Sequence, residues 1–320
     1  MHWALIVLIT LLCICSAVLM FAMLVIVPSL SGPEPSDDVI QKSKTVAASS
    51  VNTDIVVTMT TLPHRVDTVL PLTLHTLRVQ TMMPASVEIN LPHTTKSGEP
   101  YVIPSWLQEE HDAGRVTVYR VDDVGPATKY IPTLQRYRNN PDRRILVVDD
   151  DMLLHPKRVE EFDAASKRFP NDALTAHGMM IDNGKINFIS FVQSFNDWKM
   201  AVMPKARCTT EEPIDIITGY QNYLIRPRFF DMRKLTDYDA MPKEAFWVDD
   251  VVISGHLAQQ GVTRRVPKDI SGSNMLPSSH FWQHVSGFVS IKGDSQNLST
   301  GPNASDHNNN VMIDYFKDFW

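Results

Sequence analysis

Three successive carboxylates follow a short apolar run in the middle of the chain. Ile145–Val148 is entirely aliphatic, and Asp149, Asp150 and Asp151 come directly after it. Side chains alternate along an extended chain, so Asp149 and Asp151 are expected to point the same way. Crowded like charges are costly unless a cation neutralises them, and carboxylate oxygens suit Mg²⁺ or Mn²⁺. The pattern predicts a metal site able to hold a diphosphate; the alternative is a solvated acidic turn.

A second acidic pair, Asp249 and Asp250, opens an apolar stretch with helical character. Acids in a first helical turn are also favoured for capping and for the helix dipole, so function and capping both account for the pair. Trp247, two residues earlier, offers a flat face on which a sugar ring could pack.

Two loops add weaker signals of an anion site. In Gly125–Lys129, backbone amides at a helix start and one lysine could bind phosphate, although a plain Gly-Pro turn explains most of the segment. In Thr60–Arg65, just past a β-branched run, Arg65 could reach a base or a phosphate. A surface loop is the alternative for the second segment.

The elements that must position these residues alternate between strand and helix. Four alternations predict a mostly parallel, doubly wound α/β sheet, which binds ligands beyond the carboxyl ends of its strands. The predicted strands cover residues 55–60, 87–91, 116–119 and 145–148, and the predicted helices cover 66–77, 104–111, 128–137 and 156–168.

The second half of the chain has a mixed pattern. Asp182–Gly184 is a hairpin signal between apolar runs. A strand is predicted near 214–225 and a helix near 249–260. From Asp269 onward the chain is rich in Ser, Asn and Gly, with candidate metal-ligating histidines at His280, His284 and His307.

The amino-terminal stretch predicts a membrane anchor. Residues 3–27 carry no charge, enough for a helix to cross a hydrocarbon core of about 30 Å. A cleaved signal peptide is the rival, but its apolar region is usually shorter and follows basic residues. We therefore expect an anchor over residues 1–28, a stem over 29–53 and one lumenal domain over 54–320.

Other sequence features bear on the compartment and partners. Two sequons, at Asn297 and Asn303, favour lumenal exposure. Cys13 and Cys15 lie in the predicted anchor, so Cys208 has no lumenal partner for a disulfide. The net charge of −6 argues against a nucleic-acid partner.

Together these segments resemble the nucleotide-sugar glycosyltransferases of the GT-A fold, from about Asp54 to the end of the chain. The acidic triplet is similar to that family's Asp-any-Asp motif, and the stretch Trp247–Leu257 resembles the acidic element that carries the base in inverting members. The anchor and stem resemble those of single-pass type II Golgi transferases. The resemblance implies a Rossmann-type mixed sheet and metal-assisted transfer to a hydroxyl of a glycan, glycoprotein or glycolipid.

The resemblance also implies roles for individual residues. Asp250 would be the base, with Asp249 left open because this chain has Asp-Asp where many members have Glu-Asp. The other implied roles are Mn²⁺ or Mg²⁺ binding by Asp151 and Asp149, nucleotide-sugar binding by Thr60, Thr61, Arg65, Lys129, Asp149 and Asp150, and acceptor binding by Gly219 and Tyr220. Beside these, we predict His307 as a further metal ligand and Trp247 and His256 as further acceptor-binding residues.

Two other functions compete with transfer. A phosphatase of the haloacid dehalogenase type also places an Asp at a strand end, but there the nucleophile follows the first core strand, whereas here the acids follow the fourth. A transferase-like lumenal protein that only binds glycans is the non-enzymatic alternative, against which the crowded carboxylates argue.

The late acidic pair predicts inversion at the transferred sugar. A base that deprotonates the acceptor hydroxyl supports a single displacement, so the product should have the opposite anomeric configuration from the donor. Anomeric analysis of the product by NMR checks this. A product with retained configuration would remove Asp250 from the role of base.

Overall fold

The computed structural model describes residues 50–193, 207–208, 211, 213–270 and 305–320. The predicted anchor, nearly all of the stem, the sequon asparagines Asn297 and Asn303, His280 and His284 lie outside these residues. Within the described part of the chain, no helix is long and apolar enough to cross a membrane.

Twelve strands are described, and they form two sheets. The strands are β1 (Val56–Met59), β2 (Ser86–Pro92), β3 (Thr117–Val121), β4 (Ile145–Val147), β5 (Ala173–Thr175), β6 (His177–Asp182), β7 (Lys185–Gln193), β8 (Arg207–Cys208), β9 (Pro213–Ile214), β10 (Ile216–Ile217), β11 (Tyr223–Ile225) and β12 (Arg264–Arg265).

The main sheet has eight strands in the order β3-β2-β1-β4-β11-β5-β12-β9. Its first four strands are mutually parallel, while β11 runs antiparallel to both β4 and β5. The predicted α/β fold with a mostly parallel, mixed sheet is therefore confirmed. Since β1 and β4 are neighbours in the parallel half, their carboxyl ends meet at one edge of the sheet.

The helices largely follow the predicted periodicity. They are α1 (Leu70–Arg78), α2 (Ser105–Asp112), α3 (Ile131–Arg136), α4 (Arg158–Arg168), α5 (Met232–Thr236), α6 (Asp249–Gln259) and α7 (Ser305–Tyr315). Two predicted starts were wrong. Helix α1 begins four residues after Val66, with Pro71 in its first turn, where a missing N–H costs nothing. The helix predicted from Thr128 is a 3-10 segment, Gly125–Lys129, followed by α3.

The smaller sheet has the order β10-β6-β7-β8 and was not predicted. Its β6–β7 hairpin confirms the turn signal, because Asn183 and Gly184 have φ of 51° and 73°, as a primed two-residue turn requires. The single strand predicted over 214–225 was wrong. A 3-10 turn at Gly219–Gln221 divides it, so β10 joins the smaller sheet and β11 joins the main one.

Apolar side chains pack on both faces of the main sheet, as a doubly wound sheet requires. A third buried cluster lies between α6 and α7 and includes Val252, Met312 and Phe316. Helix α7 was missed because its first half is polar. Its position depends on tertiary packing of its second half against α6.

The contact between α6 and α7 generates a stability prediction. Gly255 lies under the Phe316 ring, and a Cβ at this position would overlap that ring. Gly255→Ala should lower the free energy of unfolding by about 1–3 kcal/mol, the usual cost of overpacking. Urea denaturation followed by circular dichroism measures this change.

The double mutant with Phe316→Leu is the matched control. If the overlap with the ring causes the loss, the alanine substitution should cost much less in the Phe316→Leu background than in the wild type. Equal costs in both backgrounds would contradict this packing explanation.

Candidate active site

The carboxyl ends of β1 and β4 bring together the first loop and the acidic triplet. The Thr61 hydroxyl donates to Asp150 Oδ2 at 2.5 Å. Arg65 Nη1 lies 3.0 Å from Asp150 Oδ1 and 3.2 Å from Asp151 Oδ2. Burial raises the pKa of Asp150 to about 6, opposed by Arg65. The Arg65 guanidinium thus holds two adjacent carboxylates together beside Thr60, which is also buried.

Lys129 joins the acidic triplet to the late acidic pair. Its Nζ lies 2.8 Å from Asp149 Oδ1 and 2.9 Å from Asp249 Oδ2. Burial alone would lower the pKa of Lys129, but the charges of Asp149 and Asp249 outweigh it and hold the pKa well above its ordinary value. One ammonium therefore links the end of β4, the 3-10 segment Gly125–Lys129 and the first turn of α6.

Asp249 and Asp250 have different surroundings although they are adjacent. Asp249 is buried and forms the ion pair with Lys129, whereas Asp250 is half-buried. The Gly219 N–H donates to Asp250 Oδ1 at 3.0 Å. Burial and then the charge of Asp249 raise the pKa of Asp250 well above its ordinary value. Asp250 is thus the more exposed residue of the pair, and its carboxyl group has a raised proton affinity.

The loop from Thr218 to Asn222 covers the lysine and its acids. A Cβ on Gly219 would lie 2.6 Å from Lys129 Nζ and 3.2 Å from Asp149 Oδ1, so glycine permits this close approach. Asn222 has a φ of 71°, which is unfavourable for a side chain, and Thr175 Oγ1 donates to its carbonyl at 3.0 Å. Such strain clusters at functional sites.

Aromatic side chains lie on two sides of this region. Tyr220 is 39% exposed, and its ring packs edge-on against His177 at 4.9 Å. Phe246 and Trp247 end the 3-10 segment before α6, and Lys96 Nζ lies 3.7 Å from the centre of the Phe246 ring. The structure thus places Gly219, Tyr220 and Trp247 in segments that adjoin the acids.

Two predicted site residues lie elsewhere. His256 is 5% exposed and packs against the Phe316 ring, two turns along α6 from the acidic pair. His307 is exposed, with its Nε2 at 3.9 Å from Glu244 Oε1. Acceptor binding by His256 and metal binding by His307 stay predictions. In the described part of the chain, these two rings contact Phe316 and Glu244, respectively, and not the aspartates of the site.

The carboxylates suit a divalent cation that is shared with a substrate. Within the described residues, no three His, Cys, Asp or Glu side chains are grouped to hold a metal ion. However, in the described part of the chain five carboxylates lie near two cations, Lys129 and Arg65. Mg²⁺ commonly binds through one or two carboxylates together with substrate phosphates. The oxygen donors and the excess negative charge are therefore chemically suited to Mn²⁺ or Mg²⁺.

Several supporting hydroxyls were not identified from the sequence. Thr73 Oγ1 donates to the Asp150 carbonyl at 2.6 Å, and Ser254 Oγ donates to the Asp250 carbonyl at 2.6 Å. Ser254 Oγ also accepts the Ile217 N–H at 3.0 Å, which fixes β10 to α6. In the sequence, the signal for Thr73 and Ser254 was that each is a hydroxyl residue among the mostly apolar residues of a helix.

No protein-family model matches this sequence, and no curated protein sequence matches it. Among solved structures, the chain is similar to S. aureus TarS. For TarS 1–349 the identity is 12% and the TM-score 0.44, over 83% of this chain and 71% of that chain. For TarS the identity is 11% and the TM-score 0.43, over 83% of this chain and 43% of that chain. For TarS 1–349 in complex with UDP the identity is 11% and the TM-score 0.42, over 83% of this chain and 71% of that chain. At these TM-scores the likeness does not by itself establish a common ligand.

The buried His256 generates a pH prediction. Burial lowers its pKa from 6.5 to about 4, so the folded protein favours the neutral ring. The stabilisation is complete above pH 6.5 and is lost as the pH falls toward 4, to a limit of about 3 kcal/mol. His256→Leu should therefore flatten the fall in unfolding free energy over this range, as measured by urea denaturation at a series of pH values.

His93→Gln changes an exposed histidine and serves as the control. We expect its pH dependence to match that of the wild type. If His256→Leu also keeps the wild-type slope, His256 does not contribute to acid destabilisation.

Proposed function

We propose that this protein is a nucleotide-sugar-dependent glycosyltransferase that moves a sugar from a nucleoside diphosphate to an acceptor hydroxyl. The observation that carries the proposal is the double ion pair of Lys129 with Asp149 and Asp249. It brings a strand-end acidic triplet, suited to a metal-bound diphosphate, beside a helix-start acid with raised proton affinity. Transfer of a sugar needs these two chemical environments next to each other.

The donor would lie across the carboxyl ends of β1 and β4. Thr60, Thr61 and Arg65 border this edge, and Arg65 supplies a guanidinium suited to phosphate oxygens. We assign donor binding to these residues together with Lys129 and the acidic triplet. A divalent cation held by Asp151, with Asp149 nearby, would neutralise the charge that develops on the departing diphosphate.

Asp250 is the best candidate for the base. Its pKa is raised toward the range in which a carboxylate can accept a proton efficiently near neutral pH. In the proposed reaction Asp250 takes the proton of the acceptor hydroxyl, and that oxygen forms the new bond to the anomeric carbon. The bond from this carbon to the diphosphate oxygen breaks, and the nucleoside diphosphate leaves with the bonding electrons. Asp249, already paired with Lys129, holds the lysine in place.

We propose that the acceptor approaches Asp250 along the segments that carry Tyr220 and Trp247. Tyr220 is exposed, and the backbone of Gly219 lies against both Asp250 and Lys129. Aromatic faces commonly pack against the apolar faces of sugar rings, so we assign these side chains to acceptor binding. We also propose the uncharged segment at residues 3–27 as the anchor of a single-pass type II protein whose catalytic domain faces the Golgi lumen.

A donor screen tests the function directly. The purified full chain is incubated with a panel of nucleotide sugars, with Mn²⁺ or with a chelator, and nucleotide release is measured. We expect metal-dependent turnover of one donor and its loss in Asp151→Asn. Absence of turnover together with absence of metal-dependent nucleotide binding by calorimetry would favour the binding-only alternative. Metal-dependent release of phosphate from monoesters without sugar transfer would favour the phosphatase.

Replacement of the base gives a quantitative prediction. Asp250→Asn keeps the acceptor for the Gly219 N–H but cannot take a proton, so kcat should fall by about 10²–10⁴-fold. Donor affinity, measured by calorimetry, should change little, because the substituted group does not hold the diphosphate.

Asp314→Asn is the control for this substitution, because it removes an exposed carboxylate on α7. Its kcat should equal that of the wild type. A kcat for Asp250→Asn within about threefold of the wild type would transfer the role of base to another group.

A further inference from the structure

A cluster of buried polar side chains lies next to the backbone of Lys129. It consists of Thr58 on β1, Asn90 on β2 and Thr133 on α3, none of which is exposed to solvent. Buried polar groups are costly unless they are hydrogen-bonded. The bonding pattern of this cluster therefore indicates why polar side chains stand in the core at this position.

The cluster converges on one backbone atom, the carbonyl oxygen of Lys129. Thr58 Oγ1 donates to it at 2.7 Å, and Asn90 Nδ2 approaches it at 3.3 Å. Asn90 Nδ2 also lies 3.2 Å from Thr58 Oγ1 and 3.0 Å from Thr133 Oγ1. Side chains from β1, β2 and α3 thus form one hydrogen-bond network that ends at the Lys129 carbonyl.

A second layer fixes the orientation of the Asn90 amide. Arg136 Nη2 donates to Asn90 Oδ1 at 2.8 Å and to the buried Glu88 Oε2 at 2.6 Å. With its oxygen bound to the guanidinium, the Asn90 amide must present its NH₂ to Lys129 and the two threonines. The guanidinium itself lies 3.7 Å from the centre of the Tyr119 ring.

We propose that Thr58 and Asn90 are positioning residues that hold Lys129 between Asp149 and Asp249. Lys129 ends the 3-10 segment, so a fixed carbonyl also fixes the direction in which its side chain leaves the backbone. Only the predicted effect of these residues on catalysis rests on the proposed function. Their predicted effect on the position of the Lys129 side chain holds whether or not the protein is a transferase.

The first experiment measures placement through chemical access to the lysine. Full-length protein is acetylated briefly with acetic anhydride, and modification at each lysine is followed by mass spectrometry. Lys129 is buried in the wild type, so it should react far more slowly than exposed Lys167 and Lys317. Thr58→Val keeps the side-chain shape but removes the donor, and we expect it to raise the Lys129 rate about twofold to tenfold.

Matched variants separate positioning from general loosening of the core. Thr58→Ser retains the hydroxyl and should restore slow labelling. Ser166→Ala removes a different buried hydroxyl, which donates to the Asp163 carbonyl at 3.0 Å, and should leave Lys129 labelling at the wild-type rate. Should Thr58→Val fail to fold, Asn90→Leu makes the same test, since it removes the second donor to the Lys129 carbonyl.

The second experiment is kinetic and uses the donor found by the screen. Thr58→Val should lower kcat about twofold to tenfold in the wild-type background and have no further effect in a Lys129→Met background. Unchanged Lys129 labelling in folded Thr58→Val or Asn90→Leu, or an equal rise in Ser166→Ala, would overturn the proposal. A chain without transferase activity would refute the proposed function, while the labelling result would still decide whether the cluster positions Lys129.

Discussion

A single buried ammonium group joins the parts of the site. Lys129 lies between Asp149, at the end of β4, and Asp249, in the first turn of α6. Burial would lower the pKa of Lys129 if the carboxylates were absent, and the carboxylates would repel each other if the lysine were absent. The two ion pairs therefore tie the first turn of α6 to the end of β4.

Close backbone approach makes this arrangement sterically possible. Gly219 lies against Lys129 Nζ and the Asp149 carboxylate, where a larger residue would displace the ammonium. Gly125 has a φ of 70° and lies against the Phe246 carbonyl, so the segment before α6 packs directly on the lysine-bearing turn. The two glycines act in the same way, because each lets one loop come close enough to another to complete the site.

The excess of carboxylates over cations is the reason why we propose a metal ion and a carboxylate base at this site. Among the described residues, Arg65 and Lys129 offset only part of the carboxylate charge, and burial raises the pKa of Asp150 and Asp250. A cation bound with a diphosphate would relieve the excess at Asp151. A raised proton affinity at Asp250 is the property that a base for a sugar hydroxyl requires.

The sequence alone determined the parallel half of the fold and most of the candidate site. Aliphatic runs alternating with helical periodicity predict β1 to β4, and an acidic triplet after the fourth run identifies the edge at which the ligand is expected. These signals are local, because periodicity and composition depend on nearby residues. The pairing of Lys129 with Asp249, the different surroundings of Asp249 and Asp250, and the burial of His256 depend on residues far apart in the chain. Only tertiary packing decides them, because desolvation and ion pairing are set by what lies beside a group in space.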